Sequence, residues 1–101
     1  MAMIPMALEE PQKSIRTIVR SLKCDCDGSS TSKSYTPTAV SGYTPIGVVG
    51  AYPFGSNAPY TNLNTMYLRT SDNKVVLGWT SAPSNSSGLY VMVLYTSNDL
   101  I

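Results

Sequence analysis

The sequence predicts a mainly β protein. An antiparallel, strand-rich domain over residues 34–101 follows a short N-terminal arm that is helical or extended. Three observations predict it. Two alternating segments, 63–70 and 75–80, flank the turn-forming residues Ser71, Asp72, Asn73 and Lys74. A third segment, 89–96, is apolar or aromatic on both of its faces. Charge is also uneven: residues 1–33 hold nine charged side chains and residues 34–101 only four, Arg69, Asp72, Lys74 and Asp99.

The chain has 101 residues, room for one domain or for a small domain plus an arm. Hydrophobic residues make up 43%, enough to build a core. Ser, Thr and Asn supply 30 residues, so the surface is expected to be polar but uncharged. Seven basic and six acidic side chains leave a net charge of +1. Nucleic acid is therefore not expected as a main partner, because phosphate binding needs a clustered basic surface. The absence of histidine removes the commonest general base and the commonest metal ligand. Residues 1–8 are apolar but contain Pro5 and lack a basic start, unlike a secretory signal. The longest uncharged run, 34–68, is too rich in Thr, Pro, Asn and Gly for a membrane helix. The chain is expected to be made in the cytoplasm, with no membrane insertion.

The arm spans residues 1–27. Ile15, Ile18, Val19 and Leu22 recur at helical spacing, with Pro11 suited to a first turn. Leu8, Ile15 and Leu22 are seven apart, as in a coiled coil. Yet Ile15, Thr17, Ile18 and Val19 are β-branched and fit a strand equally. Either form leaves an apolar stripe to be covered by a neighbouring copy, a larger assembly or the β-domain itself. Cys24 and Cys26 are too close for an ordinary disulfide. They read as reduced thiols in a linker, or as half of a metal or disulfide cluster shared between chains. Residues 28–33 are Ser-rich and read as a flexible linker.

The β-domain is expected to begin with an edge segment at 35–40, confined there by Pro37. A strong strand at 46–52 follows, where Gly47 and Gly50 imply a kink or a close backbone approach. In the hairpin, Met66 and Leu68 share one face, and Val75, Leu77 and Trp79 share one face. Residues 82–88 form a Ser/Asn/Pro loop. In the final strand Leu89, Val91, Val93 and Tyr95 lie on one side and Tyr90, Met92 and Leu94 on the other. A strand apolar on both faces must be covered twice. The domain's own core covers one side; the arm or a symmetry mate covers the other.

No catalytic constellation is present. Triads and Cys–His pairs need histidine. The two β-domain acids, Asp72 and Asp99, read as solvated loop residues rather than a glycosidase pair. Gly47 and Gly50 do not form a phosphate loop, and Asp25-Cys26-Asp27-Gly28 matches only a fragment of a calcium loop. No enzyme activity, cofactor or metal is expected. The aromatic residues, with Asn and Ser, suit neutral contact surfaces, including surfaces that stack on sugars. Trp79, Tyr90 and Tyr95 read as core or interface. Tyr43, Tyr52, Phe54 and Tyr60 lie in or beside the Pro/Gly/Asn-rich stretch 52–62 and read as receptor contacts.

The stretch Ser41-Gly42-Tyr43-Thr44-Pro45-Ile46-Gly47-Val48-Val49-Gly50 resembles the start of small β-sandwich modules in phage and prophage tail-fibre and minor virion structural proteins. The ending Gly88-Leu89-Tyr90-Val91-Met92-Val93-Leu94-Tyr95 resembles their last strand. The resemblance covers residues 34–101 and rests on these two phrases. It implies a compact antiparallel β-sandwich, jelly-roll-like, assembled as a homotrimer with strands facing the threefold axis. It also implies a place in the virion and a role in its structure or in host recognition. The expected trimer interface comprises Ile15, Ile18, Val19, Leu22, Tyr90, Met92 and Leu94. The arm would bind other virion proteins, and the head would bind a host cell-surface glycan or protein. The leading reading is a short tail-fibre or tail-tip protein. A capsid decoration protein or head fibre held by its arm is the alternative, and a bacterial carbohydrate-binding or adhesion module is a third.

Overall fold

Residues 16–99 are described by the computed structural model. They form six strands and one helical turn: β1 (Thr17–Asp25), β2 (Ser32–Tyr35), β3 (Tyr43–Phe54), α1 (Ala58–Thr61), β4 (Leu63–Arg69), β5 (Lys74–Trp79) and β6 (Gly88–Ser97). Two three-stranded sheets result, in the orders β1-β6-β3 (sheet A) and β2-β5-β4 (sheet B), and every pairing is antiparallel. A jelly roll has eight strands, so these six make a smaller unit than expected.

The central strands are the most apolar. In β5, Val75, Leu77 and Trp79 face inward from sheet B, opposite Leu68, Met66 and Leu63 of β4. In β6, Leu89, Val91, Val93 and Tyr95 face inward from sheet A, and all four are essentially inaccessible. These two rows meet in one core, to which Cys24 and Cys26 also belong. The hairpin expected from sequence is β4–β5. Its turn places Asn73 at φ 57°, and Arg69 holds Asp72 through two bonds of 3.0 and 2.7 Å. Three of the core-region aromatic residues donate through their polar end to a backbone carbonyl. Trp79 Nε1 reaches Pro59 at 2.8 Å, the Tyr95 hydroxyl reaches Thr38 at 2.7 Å, and the Tyr35 hydroxyl reaches Asp25 at 2.6 Å.

Several expectations are corrected here. Residues 17–25 are not part of a separate arm: β1 pairs with β6 from Thr17↔Thr96 to Asp25↔Gly88. The strand form wins because β6 needs a second neighbour, and the β-branched Thr17, Ile18 and Val19 fit its ladder. Residues 1–15 lie outside the described residues. The stretch 28–33 is a shaped turn rather than a loose tether. The Asp27 carboxylate accepts the Ser29 N–H at 2.9 Å, the Ser30 N–H at 2.7 Å and the Ser30 hydroxyl at 2.6 Å. Gly28 takes φ +85°, and β2 already begins at Ser32. The bond from the Ser30 hydroxyl, with those from the two backbone N–H groups, holds the Asp27 carboxyl well below the usual carboxylate range. Cys24 and Cys26 are free thiols buried in the core, not linker residues. The edge segment expected at 35–40 ends as a strand at Tyr35, before Pro37, which has no N–H for a ladder.

Candidate functional site

Sheet A has a second apolar face, turned away from the core. On β6 it presents Tyr90, Met92 and Leu94, all half-buried. Strand β1 places Lys23, Ser21 and Val19 directly opposite these three. Strand β3 contributes from the other side, with Tyr52 opposite Tyr90 and Phe54 opposite Gly88.

The middle of β3 is interrupted twice. Its register shifts between Pro45 and Gly47 and again between Val48 and Gly50. In a bulge two residues of one strand oppose a single residue of the other. Ile46 and Gly47 thus stand against Leu94, and Val49 and Gly50 stand against Met92. Ile46 and Val49 are 49% and 58% exposed. A Cβ built on Gly47 or Gly50 would meet nothing within 4 Å. The glycines therefore mark kinks, as the sequence predicts, and they leave open hollows beside projecting aliphatic side chains. Val19, Ile46, Val49 and Tyr52 are four of the six large apolar residues that stay exposed among the described residues. Contiguous exposed apolar patches on soluble proteins are where interaction sites are commonly found.

One end of this face is aromatic. The Tyr52 and Tyr90 rings are 5.2 Å apart and stacked, and Phe54 lies 5.0 Å from Tyr90 at 51°. The Lys23 ammonium sits 5.2 Å from the centre of the Phe54 ring. Lys23 and Asp25 place the charges of the face at this end. Phe54 packs here because its cross-strand partner is Gly88. A Cβ on Gly88 would run into the Cys24 carbonyl oxygen and come within 2.6 Å of the Phe54 ring.

The edges of sheet A are poor sites for another strand. On β1, Arg20 occupies the core-facing row opposite Val93, yet is exposed. On β3, Pro45, Pro53 and the two bulges interrupt the ladder. Charges pointing inward, prolines and bulges all hinder edge pairing. Sheet A is therefore open to contact through its face rather than its edges.

The residues singled out in the sequence are placed as follows. Val19, Tyr90, Met92 and Leu94, expected at an interface, share the outer face with Tyr52 and Phe54, expected at a receptor. Ile18 and Leu22 do not reach that face: they pack inward against the protein's own core, because a strand sends alternate residues to opposite sides. Ile15 lies outside the described residues. Tyr43 is half-buried against the core, and Tyr60 is exposed on α1, which belongs to neither sheet. Sequence reasoning missed Ile46, Val49 and Lys23 as surface residues. The spacing of Gly47 and Gly50 beside β-branched residues was the available signal for the first two.

The cysteines have little chemistry to offer. Cys24 is fully buried, and burial, followed by the charges of Asp25 and Cys26, pushes its thiol up to about 12. Such a thiol is neither a ready nucleophile nor a ready metal ligand at neutral pH. Cys26 is buried too, which speaks against a cluster shared between chains.

Comparison with protein-family models, with curated proteins and with solved structures returns no match to this chain.

Proposed function

We propose that this chain is a structural protein of a phage virion, of the short tail-fibre or tail-tip type. Its two sheets act as a β-sandwich head, and three copies associate through the outer face of sheet A. The observation that carries this reading is that face itself. It is apolar along β6, widened by the bulged Ile46 and Val49, and charged only at one end. An antiparallel sheet with one face on the core ordinarily turns a polar face to water. A second apolar face supports a protein built for assembly rather than for catalysis. Residues 1–15 would attach the trimer to other virion proteins, and surfaces outside the trimer contact would meet the host.

Light scattering on the purified protein tests the assembly. The expected mass is that of three chains, and Met92→Asp releases monomers that keep the β-sheet circular-dichroism spectrum, since a charge at a buried contact is left unpaired. A monomeric wild-type protein at micromolar concentration overturns the trimer. Immunogold labelling of particles tests the location. Label at the tail supports the fibre reading, and label on the capsid faces transfers the protein to the decoration class.

A further inference from the structure

Among the described residues four strands lie at sheet edges, and three of them carry devices that keep a further strand away. On β1 the device is the core-facing Arg20, and on β3 it is Pro45, Pro53 and the two bulges. On β2 the ladder is only four residues long. Lys33, opposite the core residue Leu77, puts a charge at its inner side, with its ammonium 5.6 Å from the Tyr35 ring centre and 3.9 Å from the Asp27 carboxylate. Strand β4 is different. Its register shift falls at its start, between Leu63 and Thr65. From Thr65 to Arg69 it has no proline, no bulge and no inward charge.

The ladder itself shows which main-chain groups this edge offers. The Trp79 N–H donates to Thr31 O at 2.8 Å, on the β2 side, and the Thr80 N–H donates to Asn62 O at 2.9 Å, on the β4 side. Main-chain groups alternate sides along a strand. Val75, Leu77 and Trp79 therefore bond towards β2, and Val76 and Gly78 bond towards β4. The residues opposite Gly78 and Val76 are Thr65 and Tyr67, so these two spend their N–H and C=O on β5. Met66 and Leu68 turn theirs off the sheet, and neither makes another main-chain bond among the described residues. Two donors and two acceptors thus stand in a row on the one unguarded edge.

We propose that residues 2–8 of the same molecule add to β4 as a further edge strand. Ala2-Met3-Ile4-Pro5-Met6-Ala7-Leu8 has no charge and is apolar in both of its alternating rows, so either row suits the side of the core. Its proline sets the phase. Pro5 has no N–H, so its main chain must turn away from β4, and Ile4 and Met6 are then the residues that bond Met66 and Leu68. The new outer edge would carry the proline that β4 lacks. The tether is long enough. Arg16 shares a recess with Gly42, Tyr43 and Ser97, and Tyr43 also lines a groove with Asp72 and Asn73 of the turn after β4. The chain therefore enters sheet A at the end of the molecule where β4 finishes. Residues 9–15 reach about 25 Å when extended, against about 10 Å between packed sheets. The inference does not depend on the virion reading. It gives the apolar part of residues 1–15 a place within the molecule and leaves Glu9, Glu10 and Lys13 to meet other proteins.

Amide hydrogen exchange followed by NMR tests it, on the purified full chain and on a chain lacking residues 2–8. The Met66 and Leu68 amides are expected to be protected in the full chain, and the deletion should speed their exchange about tenfold or more. The Tyr67 amide, held by β5, should change far less, which separates a local loss from a general weakening of the fold. Two proline variants test the pairing itself. Ile4→Pro removes an N–H that bonds β4 and should act like the deletion. Met3→Pro removes an N–H that turns away from β4 and should leave the protection in place. A loose apolar contact would treat the two alike. Equal exchange with and without residues 2–8, or equal effects of the two prolines, overturns the proposal. Protection that survives the deletion but fades on dilution also overturns it and gives the edge to a second copy of the chain. Light scattering and particle labelling read the trimer and the virion assignment separately, so either reading can fail without the other.

Discussion

The solvent faces of the two sheets are built on different rules. Sheet B turns out Ser32, Ser34, Thr65, Arg69 and Lys74, with Val76 and Tyr67 among them. Gly78 on that face is sheltered, with Thr65 Cβ 3.0 Å from where its own Cβ would stand. Sheet A turns out Val19, Ile46, Val49, Tyr52, Phe54, Tyr90, Met92 and Leu94, and Gly47 and Gly50 of its bulged strand open onto empty space. Both sheets contribute their inner faces to the one core. Folding alone requires only one apolar face per sheet, so the second apolar face of sheet A is surplus to the core and supports the proposed assembly.

The largest contrast is between inner and outer leucines. Leu77→Ala, at a fully buried position of β5, should cost about 2–5 kcal/mol in a urea titration. Leu94→Ala, on the outer face of β6, should cost about 1 kcal/mol or less in dilute solution. Equal losses would break the contrast, because the outer face would then be as well packed as the core.

Glycines sharpen the same comparison. Gly88→Ala forces a methyl group against the Cys24 carbonyl and the Phe54 ring, and should cost about 1–3 kcal/mol. Gly47→Ala places its methyl in open space, and Gly47 is not among the positive-φ residues. It should be neutral or stabilise by about 0.4–1 kcal/mol through the unfolded chain. In the proposed trimer the same methyl should weaken association, because it fills a hollow on the proposed contact face. Thermal midpoints and light scattering on the two variants separate these effects.

The effect that is smallest at neutral pH is the titration of the core side of β1. Cys24 titrates higher in the folded protein than in the unfolded chain, so its contribution is intact below its ordinary value of 9.0. Above that pH the unfolded chain loses the proton first, and stability falls as pH rises from 9.0 towards about 12. Cys24→Ala should flatten this alkaline slope in urea midpoints measured from pH 8 upward. An unchanged slope would assign it to other groups.

Much of the fold was legible in the sequence because it depends on local periodicity. Leu63 to Trp79 alternates cleanly around a turn-forming quartet, and the β4–β5 hairpin follows. The two-sided apolarity of residues 89–95 marked β6 as a strand needing cover on both faces. Residues 17–25 were ambiguous, since their apolar positions satisfy both a helical and a strand period. Only an unfilled edge beside β6 decides between them. The candidate surface was half legible for the same reason. Tyr90, Met92 and Leu94 share a face by alternation, but Tyr52 and Phe54 join them through cross-strand register, which no local pattern contains. Ile46 and Val49 depend on bulges, and a bulge shifts the alternation by one at points that only pairing with β6 defines.

The sequence by itself determined a β protein with a charged N-terminal third, no histidine chemistry and one strand apolar on both sides. Composition and period-two alternation are properties of single segments, so no partner is needed to read them. Only the tertiary structure decided that β1 closes the sheet, that both cysteines are core residues, and that a single face joins members of the two groups, Val19, Tyr90, Met92 and Leu94 with Tyr52 and Phe54. It also brought Arg16, Gly42 and Ser97 to one recess from three distant points of the chain. Those outcomes belong to long-range pairing, where the free energy of a contact depends on what the rest of the fold places opposite it.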